Sequence, residues 1–197
     1  MSPEPARGPM VAGLVLAAGQ GRRYGRPKAL VELDGERLVD RAVRIAGDGG
    51  CAPVVVVAGA APMVVAGAIV VDNPGWAAGM GSSLRAGLAA LPESASGVVV
   101  LLVDTPWLDP EAVRRLITAH SRGAELAVAT YDGERGHPVL IGRGHWPGVA
   151  ATAVGDHGAR RYLASRADVV EIDCTGAGDP SDLDVPQDTE RREQPHT

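Results

Sequence analysis

The 197-residue sequence contains no phenylalanine, and aromatic residues of all kinds make up only 3% of it. The hydrophobic core must therefore be built from valine, leucine, isoleucine and alanine, and valine-rich runs favour buried parallel strands over helices. Glycine and proline are plentiful, with 26 and 15 residues, so the chain turns often. Apolar residues at 45% and charged residues at 22% predict a globular protein with the size of one domain.

The chain also lacks an excess of positive charge. Lys and Arg number 19 against 24 Asp and Glu, which gives a formal net charge of −5. Such a chain has no general attraction for nucleic acid or an anionic membrane, so any anion must be held by a local cluster of cations. Cys51 and Cys174 have no metal-ligand spacing. A single disulfide between them is one alternative, but we expect two reduced thiols in a cytoplasmic protein.

We expect neither a signal peptide nor a membrane span in this sequence. Residues 1–8 are Pro-rich and have no apolar run of the kind that a signal peptide needs. Residues 53–71 are uncharged and long enough to cross a membrane, but Gly59, Pro62 and Gly67 divide them. We therefore expect two strands in this stretch rather than a membrane helix.

Strand-like and helix-like stretches alternate along the middle of the chain. The predicted strands are Val11–Ala18, Val54–Ala58, Ala68–Val71, Val98–Val103, Leu126–Thr130, Val139–Ile141 and Val169–Ile172. The predicted helices are Leu38–Ala46, Ser83–Leu91, Glu111–His120 and Gly158–Ser165. This alternation predicts an α/β fold with a mostly parallel sheet, which binds ligands at the carboxyl ends of its strands. We expect a single domain over residues 10–188, with loose tails at 1–9 and 189–197.

A basic, glycine-rich loop follows the first predicted strand. Gly19, Gly21 and Gly25 let the backbone approach a bulky anion and point N–H groups at it. Four cations lie within seven residues of this loop: Arg22, Arg23, Arg26 and Lys28. The loop is not a Walker loop, because Ala29 follows the lysine, nor a dinucleotide fingerprint, because Tyr24 stands at the third glycine position. The cluster predicts a triphosphate site, with a solvated basic turn as the alternative.

The same loop carries a family resemblance. Residues Leu16–Lys28 read Leu-Ala-Ala-Gly-x-Gly-x-Arg-x-Gly-x-Pro-Lys, which resembles the signature of nucleotidyltransferases with a GT-A-like fold. Within these, the chain is most similar to the MobA-like group and especially to the molybdenum cofactor cytidylyltransferases (MocA type). The resemblance covers Val11 to Asp188 and implies a three-layer, Rossmann-like nucleotidyltransferase fold. It also implies CTP, because Ala18 matches the Leu-Ala-Ala-Gly of cytidylyltransferases rather than the Leu-Ala-Gly-Gly of guanylyltransferases.

Carboxylates form the second set of candidate residues. Asp104 directly follows the predicted strand Val98–Val103, where an open sheet binds ligands, and its hard oxygen ligand suits Mg²⁺. The alternative is a cap for the turn that follows. The resemblance implies that Asp104 binds the Mg²⁺ that accompanies the nucleotide. It also makes Asp182 and Asp184 candidate metal ligands, against the alternative of a solvated acidic tail.

The segment Asn73–Leu84 leads from a predicted strand into a helix. Ser82 or Ser83 is expected to cap that helix while its free N–H groups face a ligand. The segment resembles a MocA-type pattern that lies beside the nucleotide, which makes Asn73 an expected base or ribose contact. The expected nucleotide-binding residues are then Leu16, Ala17, Ala18, Gly19, Gly21, Arg22, Lys28, Asn73, Ser82 and Ser83.

Two later segments, Gly136–Leu140 and Gly155–Arg161, resemble family segments and are expected to hold the acceptor. A glycine-rich helix start with arginines, as in Gly155–Arg161, suits a phosphate monoester. A lone histidine is more often packed or exposed than functional. His120, His145 and His196 are expected to be non-functional, and no Cys/His spacing fits zinc. The expected acceptor-binding residues are His137, Asp156, Gly158 and Arg160.

These observations and the resemblance together imply a reaction. CMP would pass from CTP to the terminal phosphate of the molybdenum-molybdopterin cofactor, with release of pyrophosphate. Lys28, Arg22 and Asp104 are the expected catalytic residues and Mg²⁺ the expected cofactor. The expected partners are CTP or another NTP, a molybdopterin-type cofactor and a molybdenum hydroxylase apo-enzyme, without nucleic acid or membrane. The alternatives are another phosphate acceptor such as a sugar phosphate, a guanylyltransferase that uses GTP, and a non-catalytic cofactor carrier.

Overall fold

The structure is a computed structural model that describes residues 10–21 and 24–183. Its strands are β1 Val11–Leu16, β2 Glu32–Leu33, β3 Glu36–Arg37, β4 Val54–Ala58, β5 Ile69–Asp72, β6 Gly97–Leu102, β7 Leu126–Tyr131, β8 Glu134–Gly142 and β9 Val170–Asp173. Its α-helices are α1 Leu38–Asp48, α2 Met80–Ala90, α3 Pro110–Ser121, α4 Trp146–Thr152 and α5 Arg160–Ala164. Short 3₁₀ helices cover Lys28–Leu30, Trp76–Ala78, Arg143–His145 and Gly155–His157.

Seven of the strands form one sheet in the order β5-β4-β1-β6-β8-β7-β9. Neighbouring strands are parallel except at β8, which is antiparallel to both β6 and β7. β1 lies between β4 and β6, with Leu16 paired to Val57 on one side and to Leu102 on the other. The carboxyl ends of these three strands therefore meet at one edge of the sheet. The predicted α/β fold with a mostly parallel sheet is confirmed.

The two faces of the sheet carry separate hydrophobic clusters. Because side chains alternate along a strand, Val11 and Val15 of β1 pack in the cluster that contains α1 and α3. Leu14 and Leu16 pack in the other cluster, against α2, α4 and α5. Strands that are buried on both faces read as continuous valine and leucine runs, which is why β4 was predicted at its observed bounds. The helix–sheet–helix arrangement confirms the predicted three-layer fold.

Three local predictions need correction. The helix predicted from Gly158 begins only at Arg160, because Gly158 has φ 48° and ψ −130°, which no helix accommodates. The helix predicted from Ser83 begins at Met80, after Gly79 at φ 100°, and no side chain caps it. The expected serine cap is therefore wrong. The hairpin of β2 and β3 and the helix α4 were not predicted from the sequence.

Residues 53–71 form β4, a connection and the start of β5, as the glycines and the proline predicted. Among the helices of residues 10–21 and 24–183, none combines the length and the apolarity needed to cross a membrane. Residues 1–9 and 184–197 lie outside the described part of the chain, so the expected tails and the limits of the domain stay predictions.

The close packing of α2 on the sheet gives a stability prediction. A Cβ atom at Gly87 would lie 2.4 Å from Leu14 Cδ1 and 3.0 Å from Val57 Cγ2. Since Leu14 and Val57 are fully buried, we expect Gly87→Ala to lower the free energy of unfolding by about 1–3 kcal/mol through overpacking. Calorimetric melting should show a decrease of about 2–4 °C for each kcal/mol.

The matched control is Gly47→Ala in α1, where a Cβ atom would meet nothing within 4 Å. That variant should be as stable as the parent or up to about 1 kcal/mol more stable, because alanine is the better helix former. Equal melting temperatures for the Gly87 and Gly47 variants would contradict the prediction, because they would mean that the packing around α2 accommodates the added methyl group without cost.

Candidate active site

A cavity of about 500 Å³ opens at the carboxyl ends of β1 and β6. We call it the loop cavity, because the glycine-rich loop after β1 forms one wall. The start of α2 and the 3₁₀ turn before it form the opposite wall, and the residues after β6 close it. Its polar lining includes Gly19, Gly21, Lys28, Ser83, Asp104 and Asp156.

The loop after β1 is held in a tight turn. Gly21 has φ 62°, and its carbonyl oxygen accepts hydrogen bonds from the Tyr24 and Gly25 amides, both at 2.9 Å. A Cβ atom at Gly21 would lie 2.0 Å from the carbonyl oxygen of Arg26. Only glycine fits both the backbone angle and this close approach. The turn brings Lys28 back to the mouth of the cavity. Arg22, the other predicted catalytic cation, lies outside the described residues.

Lys28 and Asp104 form an ion pair across the loop cavity. Lys28 Nζ lies 3.2 Å from Asp104 Oδ2, and the two side chains are 14% and 28% exposed. Asp104 stands just beyond β6, where Thr105 Oγ1 donates to the Leu102 carbonyl oxygen at 3.0 Å. The Leu183 amide donates to the Asp104 carbonyl oxygen at 2.8 Å. Two independent contacts therefore fix the turn that carries this carboxylate, and the cation and carboxylate predicted from separate motifs meet in one site.

The carboxylate of Asp104 fits a metal ion that is shared with phosphate. Mg²⁺ is usually held by one or two carboxylates together with substrate phosphates, rather than by an all-protein cage. Asp104, beside the glycine-rich loop, meets that description. No group of three or more His, Cys, Asp or Glu side chains with metal-binding geometry occurs in residues 10–21 and 24–183. Asp184 lies outside those residues, and Asp182 lines a second cavity next to this one.

The residues Asn73 and Ser82 lie behind the wall of the loop cavity rather than at its surface. Asn73 is buried, and its Nδ2 donates to Ser82 Oγ at 2.9 Å and to Ser83 Oγ at 3.1 Å. Its Oδ1 accepts from the Gly75 amide at 3.0 Å. This network holds the turn between β5 and α2, and of the three side chains only Ser83 lines the cavity.

Trp76 is a lining residue that the sequence analysis did not assign to the site. A Cβ atom at Gly59 would lie 2.6 Å from Trp76 Cβ and 2.7 Å from Ala18 Cβ. Gly59 therefore lets the indole pack beside the Ala18 methyl group at one end of the cavity. The sequence signal was the family-like segment Asn73–Leu84 that contains this tryptophan, which is equally compatible with a packed indole.

A second cavity of about 780 Å³ shares Leu16, Met80 and Leu102 with the loop cavity. We call it the His137 cavity. Its floor is apolar, with Leu84, Val100, Val128 and Val139 among its residues. Of the residues predicted to bind the acceptor, it contains His137, Gly158 and Arg160. Asp156 instead lines the loop cavity, which differs from the expectation.

His137 is held at the inner side of its cavity. Tyr131 Oη donates to the His137 carbonyl oxygen at 3.0 Å. The ring nitrogen Nδ1 is buried and has no hydrogen-bond partner within the described part of the chain. Burial lowers the pKa of His137, while the Val100 backbone and the Asp104 charge oppose that shift. The ring is therefore neutral at pH 7.

This lowered pKa predicts a pH dependence of stability. Because the pKa is lower in the folded chain than in the unfolded chain, the stability due to the neutral ring is present above about pH 6.5 and lost as the pH falls. We expect His137→Gln to reduce the loss of unfolding free energy between pH 7 and pH 5, measured by urea denaturation. The control is His157→Gln, at an exposed histidine lining the same cavity. Identical acid dependence in both variants and the parent would contradict the prediction.

His120, His145 and the two cysteines have structural surroundings, whereas His196 lies outside the described residues. His120 is buried, with Nε2 3.1 Å from Ser96 Oγ and Nδ1 2.8 Å from the Ala124 carbonyl oxygen. His145 Nδ1 lies 2.8 Å from Tyr162 Oη. Cys51 and Cys174 are free and buried, and burial raises the pKa of Cys51 to about 12 and that of Cys174 to about 11. Neither thiol is therefore a reactive thiolate at pH 7.

The sequence match decides the family. Residues 13–170 match the model of the MobA-like NTP transferase domain. The chain belongs to the MobA-like NTP transferase family. Membership confirms the predicted family and its nucleotidyltransferase fold. The glycine-rich loop, Lys28, Asp104 and Asp156 of this MobA-like chain all lie within the matched residues.

Two relatives of this MobA-like chain have different names. Nicotine blue oxidoreductase from Paenarthrobacter nicotinovorans is 39% identical over 191 residues, which is 90% of this chain and 93% of the relative. A molybdenum cofactor guanylyltransferase from Rhodobacter capsulatus is 30% identical over 197 residues, which is 93% of this chain and 95% of the relative.

A solved structure similar to this MobA-like chain is Rv0371c from Mycobacterium tuberculosis H37Rv. It matches with a TM-score of 0.80 at 30% identity, covering 95% of this chain and 98% of its own. The same protein in complex with manganese matches with a TM-score of 0.73 at 29% identity, covering 93% and 97%.

Proposed function

We propose that this member of the MobA-like family transfers CMP from CTP to the terminal phosphate of a molybdopterin-type cofactor and releases pyrophosphate. The observation that carries the proposal is the arrangement of two cavities around Lys28 and Asp104. The loop cavity has a glycine-rich wall and a cation for phosphates, while the larger His137 cavity adjoins it across three shared residues. A nucleotide in the first and an acceptor in the second would bring two phosphates together.

The chemistry asks for alignment and charge neutralisation rather than covalent work by the protein. A terminal phosphate oxygen of the acceptor attacks the α-phosphorus of the nucleotide, and the bond from that phosphorus to the bridging oxygen of pyrophosphate breaks. The nucleophile is already an anion, so no general base is needed. The N–H groups of the Gly19–Gly21 loop bind phosphate oxygens, and the Lys28 ammonium offsets the charge that develops on them.

Asp104 is the residue that would hold a divalent cation. Such a cation, when bound, polarises a phosphoryl oxygen. The manganese complex of Rv0371c supports metal binding in a chain of this fold. We propose Mg²⁺ as the ion, with Asp182 or Asp184 as a further ligand.

The choice of CTP depends on the end of the loop cavity where Ala18 meets Trp76. A methyl group at position 18 occupies space that a glycine would leave free, which favours the smaller pyrimidine base. The guanylyltransferase name of the Rhodobacter capsulatus relative makes GTP the competing nucleotide.

The acceptor assignment depends on the His137 cavity. Buried polar atoms are normally hydrogen-bonded, so the buried Nδ1 of His137 is consistent with a ligand that completes the site. The Arg160 guanidinium at the same cavity suits a phosphate monoester. Transfer of the product to a molybdenum hydroxylase apo-enzyme and a cytoplasmic location stay predictions.

An oxidoreductase reaction is the second candidate, because the 39% identical relative is named nicotine blue oxidoreductase. A nicotinamide or flavin would then have to supply the electrons. The loop after β1 argues against dinucleotide binding of the usual kind, because Tyr24 stands where the third glycine would be. The sequence of this loop therefore favours nucleotidyl transfer over a dinucleotide-dependent reaction.

The test is a transfer assay with each [α-³²P]NTP, purified molybdopterin cofactor, and Mg²⁺ or Mn²⁺. We expect labelled cofactor and pyrophosphate with CTP as the preferred nucleotide. Preference for GTP would overturn the base assignment. Tight cofactor binding without pyrophosphate release would favour a carrier, and NAD(P)H oxidation without transfer would favour the oxidoreductase.

A further inference from the structure

The loop cavity contains a second carboxylate that the proposed mechanism does not use. Asp156 lies on the 3₁₀ turn Gly155–His157 and lines the same cavity as Asp104. Asp104 lies 3.2 Å from Lys28 at the phosphate side. The neighbours of Asp156 belong to the opposite wall, at the start of α2. Within the described residues, the cavity thus has one carboxylate paired with a cation and another on the far wall.

The position of Asp156 is set by close packing against α2. A Cβ atom at Gly79 would lie 2.7 Å from Asp156 Oδ1 and 2.6 Å from the Gly155 carbonyl carbon. A Cβ atom at Gly81 would lie 2.6 Å from the Ala153 carbonyl oxygen. The Arg85 guanidinium also donates to that same oxygen. These contacts fix the backbone that carries Asp156 against α2 before any ligand binds, and such preorganisation favours selective recognition.

Charge decides what Asp156 can bind. A carboxylate repels the negative oxygens of a triphosphate, but it accepts hydrogen bonds from hydroxyl and amino groups. The phosphates belong at the glycine-rich loop and Lys28, on the opposite wall. Gly79 lies against Asp156, and Trp76 and Met80 line the same cavity, which therefore offers apolar surface for the uncharged part of a nucleotide.

We propose that Asp156 recognises the nucleoside part of the bound nucleotide by accepting a hydrogen bond from it. The donor is a ribose hydroxyl or the exocyclic amino group of the base. This inference rests on the proposed nucleotidyl transfer, because it takes an NTP as the ligand of the loop cavity. It makes Asp156 a specificity residue of the nucleotide site rather than a residue of the acceptor site.

The test compares nucleotide binding by titration calorimetry in the parent, Asp156→Asn and Asp156→Ala. The probes are the NTP that the parent binds best and inorganic tripolyphosphate, each with and without Mg²⁺. Loss of a hydrogen bond to a charged group should weaken NTP binding on the order of 10- to 100-fold. Tripolyphosphate binding should stay the same or tighten, since a negative charge is removed.

Analogues of CTP then identify the donor group. The parent and the variants are titrated with 2′-deoxy-CTP, with 3′-deoxy-CTP, and with UTP, which lacks the amino group. The analogue that the parent and Asp156→Ala bind equally well lacks the group that Asp156 contacts. A variant that loses the same factor on every analogue would overturn the proposal.

Glu93→Gln is the matched control, because Glu93 is an exposed carboxylate outside both cavities. It should bind NTP as the parent does. An equal loss of NTP and tripolyphosphate affinity in the Asp156 variants, or no loss of NTP affinity, would contradict the assignment of Asp156 alone. Failure of the parent to bind any NTP would overturn the proposed function as well.

Discussion

Asp104→Asn is expected to lower metal-dependent turnover roughly a thousandfold, while the chain keeps its fold. A divalent cation that stabilises a phosphoryl-transfer transition state contributes several kcal/mol, and each 1.4 kcal/mol is about a factor of ten in rate. The neutral amide removes the charge that would hold the cation at the loop cavity. It also leaves the Lys28 ammonium, 3.2 Å away, without that carboxylate.

The measurements for Asp104→Asn are single-turnover transfer and Mn²⁺ titration followed by electron paramagnetic resonance. We expect both the rate and the affinity for Mn²⁺ to fall. The unfolding free energy should change by about 1 kcal/mol or less, since the ion pair is partly exposed. Asp72→Asn serves as the control, because Asp72 is exposed and lines neither cavity. Normal metal-dependent turnover in Asp104→Asn would exclude a metal role for this residue.

Gly21→Ala is expected to reduce kcat/KM roughly a hundredfold. The added Cβ atom would lie 2.0 Å from the carbonyl oxygen of Arg26, a backbone atom that can move only if the loop opens. Opening the loop displaces both its N–H groups and Lys28, and misplacement of catalytic groups by about 1 Å is enough for such a loss. Steady-state transfer kinetics and NTP titrations should show weaker nucleotide binding and slower turnover together.

Gly25→Ala provides a matched comparison within the same loop. Gly25 also has a positive φ, 80°, but a Cβ atom there would meet nothing within 4 Å. The variant carries only the backbone strain of about 1–2 kcal/mol and should lose less than tenfold in kcat/KM. Equal losses at the two positions would mean that backbone strain, rather than the contact with Arg26, controls the loop.

Local sequence patterns were sufficient to predict several of the main elements of the fold. β4 and the strands near it are valine runs bounded by turn residues, and α3 begins at Pro110 after a capping aspartate. Asp109 Oδ1 does accept a hydrogen bond from the Glu111 amide, at 2.7 Å. Lys28 and Asp104 could be brought together from sequence because parallel strands end at the same edge of a sheet.

Features that depend on tertiary contacts could not be predicted from the sequence. The wall on which Asp156 lies is formed because residues 153–156 approach α2 closely. Gly79 and Gly81 permit this approach, but their presence in the sequence does not predict it. Asn73 resembled a ligand contact in its motif, yet three hydrogen bonds turn its amide inward. Ser82 looked like a helix cap, but its hydroxyl lies 2.9 Å from the Gly75 and Gly79 carbonyl oxygens.

Leu16, Met80 and Leu102 line both cavities, so these three apolar side chains form the partition at which the loop cavity and the His137 cavity adjoin. A single molecule that carries a nucleoside at one end and an acceptor-like group at the other could lie on both sides of this partition. Tethering the two halves raises the effective concentration of the second to the millimolar range once the first is bound. The partition therefore makes bisubstrate analogues, with a polyphosphate bridge over Leu16 and Leu102, a natural design for inhibitors of this chain.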